Sequence, residues 1–199
     1  MIRDTDEVTT LLDPITTLPP EFRPLRVEEY HRLIDTGVFD GTHVELVGGV
    51  LVEMSPQGDE HMGLIPFMTH LLVRLVGEDY VVSPQCPVIA DEISEPEPDF
   101  AILSRRDTRV TGKPHDALLV IEIANSSLRF DLGEKARRYA GAGYPEYWVI
   151  DVKARSIHVH RDPHPDGTWG SLEEVSSGRV QAVAVPPVVI DVQDLLTFG

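Results

Sequence analysis

At 199 residues, with 42% hydrophobic and 25% charged side chains, the chain has the composition of one globular domain large enough to bury a core. No apolar run reaches the roughly 18 residues of a membrane span. The first residues lack a leader's apolar stretch and Cys86 is the single cysteine, so a reduced, cytoplasmic setting with no membrane partner is expected.

In chain order, residues 1–24 carry Pro14, Pro19, Pro20 and Pro24 without a sustained period and are expected to form a loose arm, with a domain over 25–199. Val27, Tyr30, Leu33 and Ile34 recur at helical spacing, and Gly37 suits the left-handed cap that ends such a helix. The runs His43–Val47 and Val50–Met54, split by Gly48-Gly49, predict a β-hairpin. Met62, Ile65, Met68, Leu72 and Leu75 predict a long amphipathic helix over 58–78, with Pro66 kinking it or marking its true start. Tyr80–Val82, Val88-Ile89 and Phe100–Leu103 read as short strands, the last preceded by a segment, Asp91–Asp99, with five acids and no base.

Ala117–Ala124 is apolar except for Glu122, the pattern of a central strand covered on both faces. A helix over about 131–140 should follow, closed by Gly141 and Gly143, and then strands at Tyr147–Asp151 and Ser156–His160. Short strands continue to the C-terminus. The order implies a mixed α/β sheet flanked by helices, with an N-terminal hairpin and a C-terminal β extension.

Glu122 is the most informative residue. A carboxylate inside an apolar strand carries a large desolvation cost unless a cation or hydrogen bonds compensate it; a solvated edge or an arginine partner is the ordinary alternative. Asp99, at the start of another apolar strand, can meet Glu122 at adjacent strand ends. Two carboxylates with positions left open for water are how proteins hold Mg²⁺ or Mn²⁺ next to a phosphate. Asp131, Lys135 and Tyr139, spaced by four, line one helix face. A lysine there can orient or deprotonate an attacking water, or neutralise charge developing on a phosphate; a surface Asp–Lys pair is the alternative.

His61 reads as a structural or capping group, or as one that supports the ligands. His158 and His160 alternate on one strand face with His164 in the loop beyond; they can bind a transition metal, although nothing in the spacing supports a structural zinc site. P-loop, dinucleotide-binding and nucleophile-elbow motifs are absent from the sequence.

Pro98-Asp99 followed by Glu122-Ile123-Ala124 resembles the PD-(D/E)XK nuclease signature, with Ala124 at the lysine position. Over about residues 25–196 the chain is similar to the Uma-two family of endonuclease-like bacterial proteins. The resemblance rests on Val44–Val50, Ser55-Pro56 with His61, Glu97–Ala101, Val120–Ile123, then Asp131, Lys135 and Tyr139, and Gly143–Asp151. It implies a restriction-endonuclease-like fold and a lysine moved from the strand to the next helix, so that Lys135 replaces the group missing at Ala124. It also implies Glu45 as a further carboxylate and the Ile123 carbonyl as a metal ligand beside Asp99 and Glu122. Two departures are Asn125-Ser126-Ser127, where relatives often have Ser-Pro-Ser, and Gly48, where an acid is common.

The expected activity is Mg²⁺- or Mn²⁺-dependent hydrolysis of phosphodiester bonds in nucleic acid, DNA above all, with Glu45, Asp99, Glu122 and Lys135 as the catalytic set. The net charge of −16, from 17 Lys+Arg against 33 Asp+Glu, opposes tight binding to long DNA. The nearest basic groupings are Arg105, Arg106 and Arg109, and Lys135, Arg137 and Arg138. Affinity should therefore be weak and salt-sensitive. A homodimer would be unsurprising for this fold. The rival readings are a metal-binding or regulatory module without turnover, and a hydrolase of a small phosphorylated molecule.

Overall fold

A computed structural model describes residues 22–54, 59–106 and 115–196. Most of the N-terminal arm, Ser55-Pro56, Arg109 and the side chain of His61 lie outside them. Helix α1 (Val27–Asp35) leads into a hairpin of β1 (Val44–Val47) and β2 (Val50–Glu53). Gly48 and Gly49 take φ of 63° and 77°, the paired left-handed conformations of a tight primed turn. A Cβ on Gly49 would fall 2.3 Å from that of Pro24, so glycine is required there for space as well as for conformation.

Helix α2 (Asp59–Val76) runs continuously through Pro66. Its buried stripe is Leu64, Met68, Leu72 and Val76, spaced by four. Met62, expected on that stripe, faces outward at 59% exposure. Strands β3 (Tyr80–Pro84), β4 (Phe100–Ser104), β5 (Leu119–Ala124), β6 (Glu146–Asp151), β7 (Ser156–Pro163) and β8 (Trp169–Val175) form one sheet in that spatial order. Each pair is antiparallel except β5–β6. Their connection is helical, as a parallel crossover requires. It consists of α3 (Leu128–Phe130), a π turn over Asp131–Lys135 and α4 (Ala136–Gly141). The helical stretch thus starts three residues earlier than the apolar spacing suggests, and its middle is wider than an α-helix.

Val88-Ile89 is not a strand. Val88 N–H bonds the Pro96 carbonyl and Ala90 N–H that of Ser94, an irregular segment in which Pro87, Pro96 and Pro98 cannot donate to a ladder. The same segment docks the hairpin: Glu95 N–H donates to Leu46 O at 2.7 Å, and an isolated bridge joins the two residues. At the C-terminus β9 (Arg179–Gln181) and β10 (Val189–Asp191) pair with each other. Buried Glu146 ties the loop between them to the sheet, accepting Val183 N–H at 2.7 Å, Ala184 N–H at 3.1 Å and Arg161 Nε at 2.8 Å.

The two sheet faces are packed differently. Phe100, Ile102, Leu119, Ile121, Ile123, Trp148 and Ile150 meet the α2 stripe and the C-terminal segment. On the reverse face Ala101, Val120, Ala124, Tyr147 and Val149 meet Ala136, Tyr139 and Tyr144. Among the described residues no helix is long and apolar enough to cross a membrane.

Candidate active site

Glu122 belongs to the reverse face, between Val120 and Ala124, on a strand whose six residues are all buried. Strands β4 and β5 pair Phe100 with Ile121 and Ala101 with Val120. One further step of that register sets Asp99 opposite Glu122, on the same face. Asp99 Oδ2 accepts the Ile123 N–H at 2.8 Å. Because a strand residue directs its N–H and C=O to the same side, the Ile123 carbonyl also faces the Asp99 edge.

Lys135 reaches this point from the π turn. Its Nζ donates to Glu122 Oε1 at 2.9 Å and lies 3.1 Å from Glu45 Oε2. Glu45 comes from β1 and is itself held by the Glu97 N–H at 3.0 Å. Glu45 and Lys135 are each only 3% exposed, so the lysine is no surface partner. The ammonium also sits 6.0 Å from the Phe130 ring centroid. The structure thereby brings Glu45, Asp99, Glu122 and Lys135 together from four separate elements. The hairpin's docking onto the Asp91–Asp99 segment delivers Glu45.

Three side chains join the cluster that sequence reasoning gave no site role. Asp131, 2% exposed, accepts the Ser127 hydroxyl at 2.6 Å. Tyr139 donates to Glu122 Oε1 at 3.4 Å, and Tyr147 donates to the Asp131 carbonyl at 3.1 Å. Asp131 and Tyr139 were visible as neighbours of Lys135 at helical spacing. Tyr147 approaches from β6 and had no local signal.

Four buried carboxylates face one buried ammonium, and the electrostatics follow. Burial raises the Glu122 carboxyl well above its ordinary range; Lys135 pulls it down, while Asp131, Asp99 and Glu45 push it up. Asp131 is pushed up to about 6, again by burial, with Lys135 and the Ser127 hydroxyl opposing. For Lys135 burial favours proton loss, but Glu122, Glu45 and Asp131 together outweigh it and the amine binds its proton more tightly than usual. It is held as an ammonium. Arg137 and Arg138, the neighbouring bases, are both engaged by buried Glu134 at 2.9 and 2.7 Å, and Arg138 also reaches Asp91.

The surplus of negative charge fits a hard cation. Among the described residues no group of three or more His, Cys, Asp or Glu side chains is arranged to hold a metal. Mg²⁺ does not demand one: it is commonly bound through one or two carboxylates with several waters retained. Asp99, Glu122 and the Ile123 carbonyl are a donor set of that kind, all oxygen.

Comparison with known proteins places the fold first. The chain shares its fold with a crystal structure from Anabaena variabilis ATCC 29413, described as a "putative nuclease belonging to DUF820". The TM-score is 0.69 at 14% identity, covering 88% of this chain and 99% of that one. The family follows from sequence: the model for Uma2, described as "Putative restriction endonuclease", matches residues 27–193. The chain belongs to the Uma2 family. No match was found among curated proteins.

Proposed function

We propose that the chain is a metal-dependent nuclease that hydrolyses phosphodiester bonds in DNA, with Asp99, Glu122 and the Ile123 carbonyl holding Mg²⁺ or Mn²⁺. The observation that carries this reading is the Lys135 ammonium between Glu122 and Glu45, beside an Asp99 that shares the Glu122 face. A bound divalent ion supplies Lewis acidity toward a phosphoryl oxygen and a lowered pKa for water.

The chain's own groups do the positioning. Glu122 and Glu45 fix Lys135 in place, so its remaining N–H can point at a phosphate oxygen or orient a water. Its fixed charge opposes the negative charge that grows on the phosphoryl group in the transition state, where a preorganised donor is most effective. An ammonium bound by two carboxylates is suited to this role better than to proton abstraction. Glu45 positions Lys135 and receives its own orientation from the Glu97 N–H. The Tyr139 hydroxyl limits rotation of Glu122.

A net charge of −16, with Lys135, Arg137 and Arg138 already engaged by carboxylates, favours one second reading: a hydrolase of a small phosphorylated molecule, which needs no extended basic track. The test is incubation of the purified chain with single- and double-stranded oligonucleotides and with small phosphodiesters, each with Mg²⁺, Mn²⁺ or chelator. Metal-dependent oligonucleotide cleavage that weakens steeply with salt and is lost in Glu122→Gln supports the nuclease. Turnover confined to small esters supports the second reading. Mn²⁺ that raises the melting temperature of parent and Glu122→Gln alike places the ion elsewhere.

A further inference from the structure

The candidate site leaves unused a pair of histidines on its own face of the sheet. On β7, Ser156, His158 and His160 point the same way as Glu122: His158 is in register with Val149, which is in register with Glu122, and His160 is in register with Tyr147. His160 is only 5% exposed, with its ring 5.3 Å from that of Tyr147 and 5.7 Å from that of Trp169. Among the described residues, His158 Nε2 and His160 Nδ1 are the two buried side-chain polar atoms that lack a hydrogen-bond partner. Both belong to the same strand face.

An unpartnered buried polar atom costs free energy and calls for a group to satisfy it. A neutral imidazole carries one unprotonated nitrogen, and which one is a choice of tautomer. Residues 158 and 160 stand two strand positions apart on one face, about 6.6 Å between Cα atoms. With the proton of each ring on its other nitrogen, rings turned toward each other can close His158 Nε2 and His160 Nδ1 to the roughly 4 Å that one ion about 2.0–2.1 Å from each nitrogen spans.

We propose that His158 and His160 form a two-imidazole site for a divalent transition ion of the Zn²⁺, Ni²⁺ or Cu²⁺ class, with water completing its coordination. Imidazole selects these ions over Mg²⁺. His158 is the partly exposed member of the pair. His164 does not belong to the pair, since its Nδ1 is 3.1 Å from the Thr168 hydroxyl in the hairpin tip. The site is also separate from Glu122. One strand, β6, intervenes, so the two positions are two strand spacings or about 10 Å apart, whereas ions that act together on one phosphate sit about 3.5–4 Å apart. The proposal therefore stands or falls independently of the nuclease reading.

The test is Zn²⁺ titration of the full chain against a chromophoric chelator, with His158→Asn, His160→Asn and Glu122→Gln in parallel. The expected result is one Zn²⁺ per chain, an affinity lowered about ten-fold or more in each histidine variant, and no change in Glu122→Gln. Cu²⁺ electron paramagnetic resonance on the parent needs no variant to fold, and should show coupling to two imidazole nitrogens. Zn²⁺ that does not bind, or that binds equally well to His158→Asn, overturns the proposal. So does a Cu²⁺ spectrum without two imidazole nitrogens.

Discussion

Strand β5 presents three buried side chains to each side of the sheet, and the two sets differ in kind. Leu119, Ile121 and Ile123 enter an apolar layer with α2. Val120, Glu122 and Ala124 face the π turn and α4, where Glu122 is surrounded by Lys135, Tyr139, Asp99 and, through the shared lysine, Glu45. The α2 face is stabilised by area removed from water. The α4 face carries charge that area cannot compensate, and it holds only because an ammonium and backbone donors meet the carboxylates. The buried charge is thereby concentrated on one face of the strand.

The sharpest way to break the contrast is Lys135→Met. On the proposed mechanism cleavage should fall roughly 100-fold or more, through lost stabilisation of transition-state charge. Stability should also drop, by about 3–5 kcal/mol, since Glu122 and Glu45 would be left buried without their cation. The double variant Glu122→Gln with Lys135→Met should recover part of that stability and none of the activity. Steady-state kinetics with urea titration checks both, with exposed Lys153→Met as the neutral control.

On the opposite face the pattern reverses. Ile121→Ala should cost about 2–5 kcal/mol of stability while the rate per folded molecule stays at the parent value. A fall in rate with stability unchanged would erase the distinction between the faces.

Acid titration separates them next. The folded chain holds the Asp131 proton up to about pH 6, whereas an unfolded aspartate releases it near 3.8. The folded state therefore binds more protons between these values, and the Asp131 contribution to stability is lost as pH rises through that window. Denaturation midpoints at pH 4.5 and 7.5 should show that loss, on the order of 1–3 kcal/mol, as the difference between the parent and Asp131→Asn, which keeps only the loss due to Glu122. The smallest effect belongs to Tyr139→Phe, which removes one long bond to Glu122 and should cost about 0.5–1.5 kcal/mol. Double-mutant analysis with Glu122→Gln should show that the effect disappears once Glu122 is neutral.

Much of the apolar face was legible in the sequence, because burial leaves a period: the β5 run and most of the α2 stripe follow directly from spacing. Met62 was misassigned since several phases of a long helix are apolar, and the phase Leu64–Met68–Leu72–Val76 is the one that meets the sheet. On the polar face Glu122 announced itself by interrupting β5. The π turn left no trace, because one extra residue in a helical turn alters hydrogen bonding without altering composition. The buried state of Asp131 was hidden for the same reason: its partner Ser127 lies before the point where the apolar period begins. Tyr147 and the Glu97 N–H reach the site through strand pairing and hairpin docking, contacts that no local pattern encodes. Val88-Ile89 looked like a strand by content alone, and the prolines around it prevented the ladder.

Asp99 and Glu122 are proposed to share one divalent ion beside Lys135. Anomalous diffraction from a crystal of the chain soaked in Mn²⁺ tests it directly. The expected result is a manganese peak between the Asp99 and Glu122 carboxylates, bonded also to the Ile123 carbonyl, with the Lys135 amine adjacent but not ligated. A crystal in which Mn²⁺ occupies only other positions, with Glu122 still engaged solely by Lys135 and Tyr139, would contradict it.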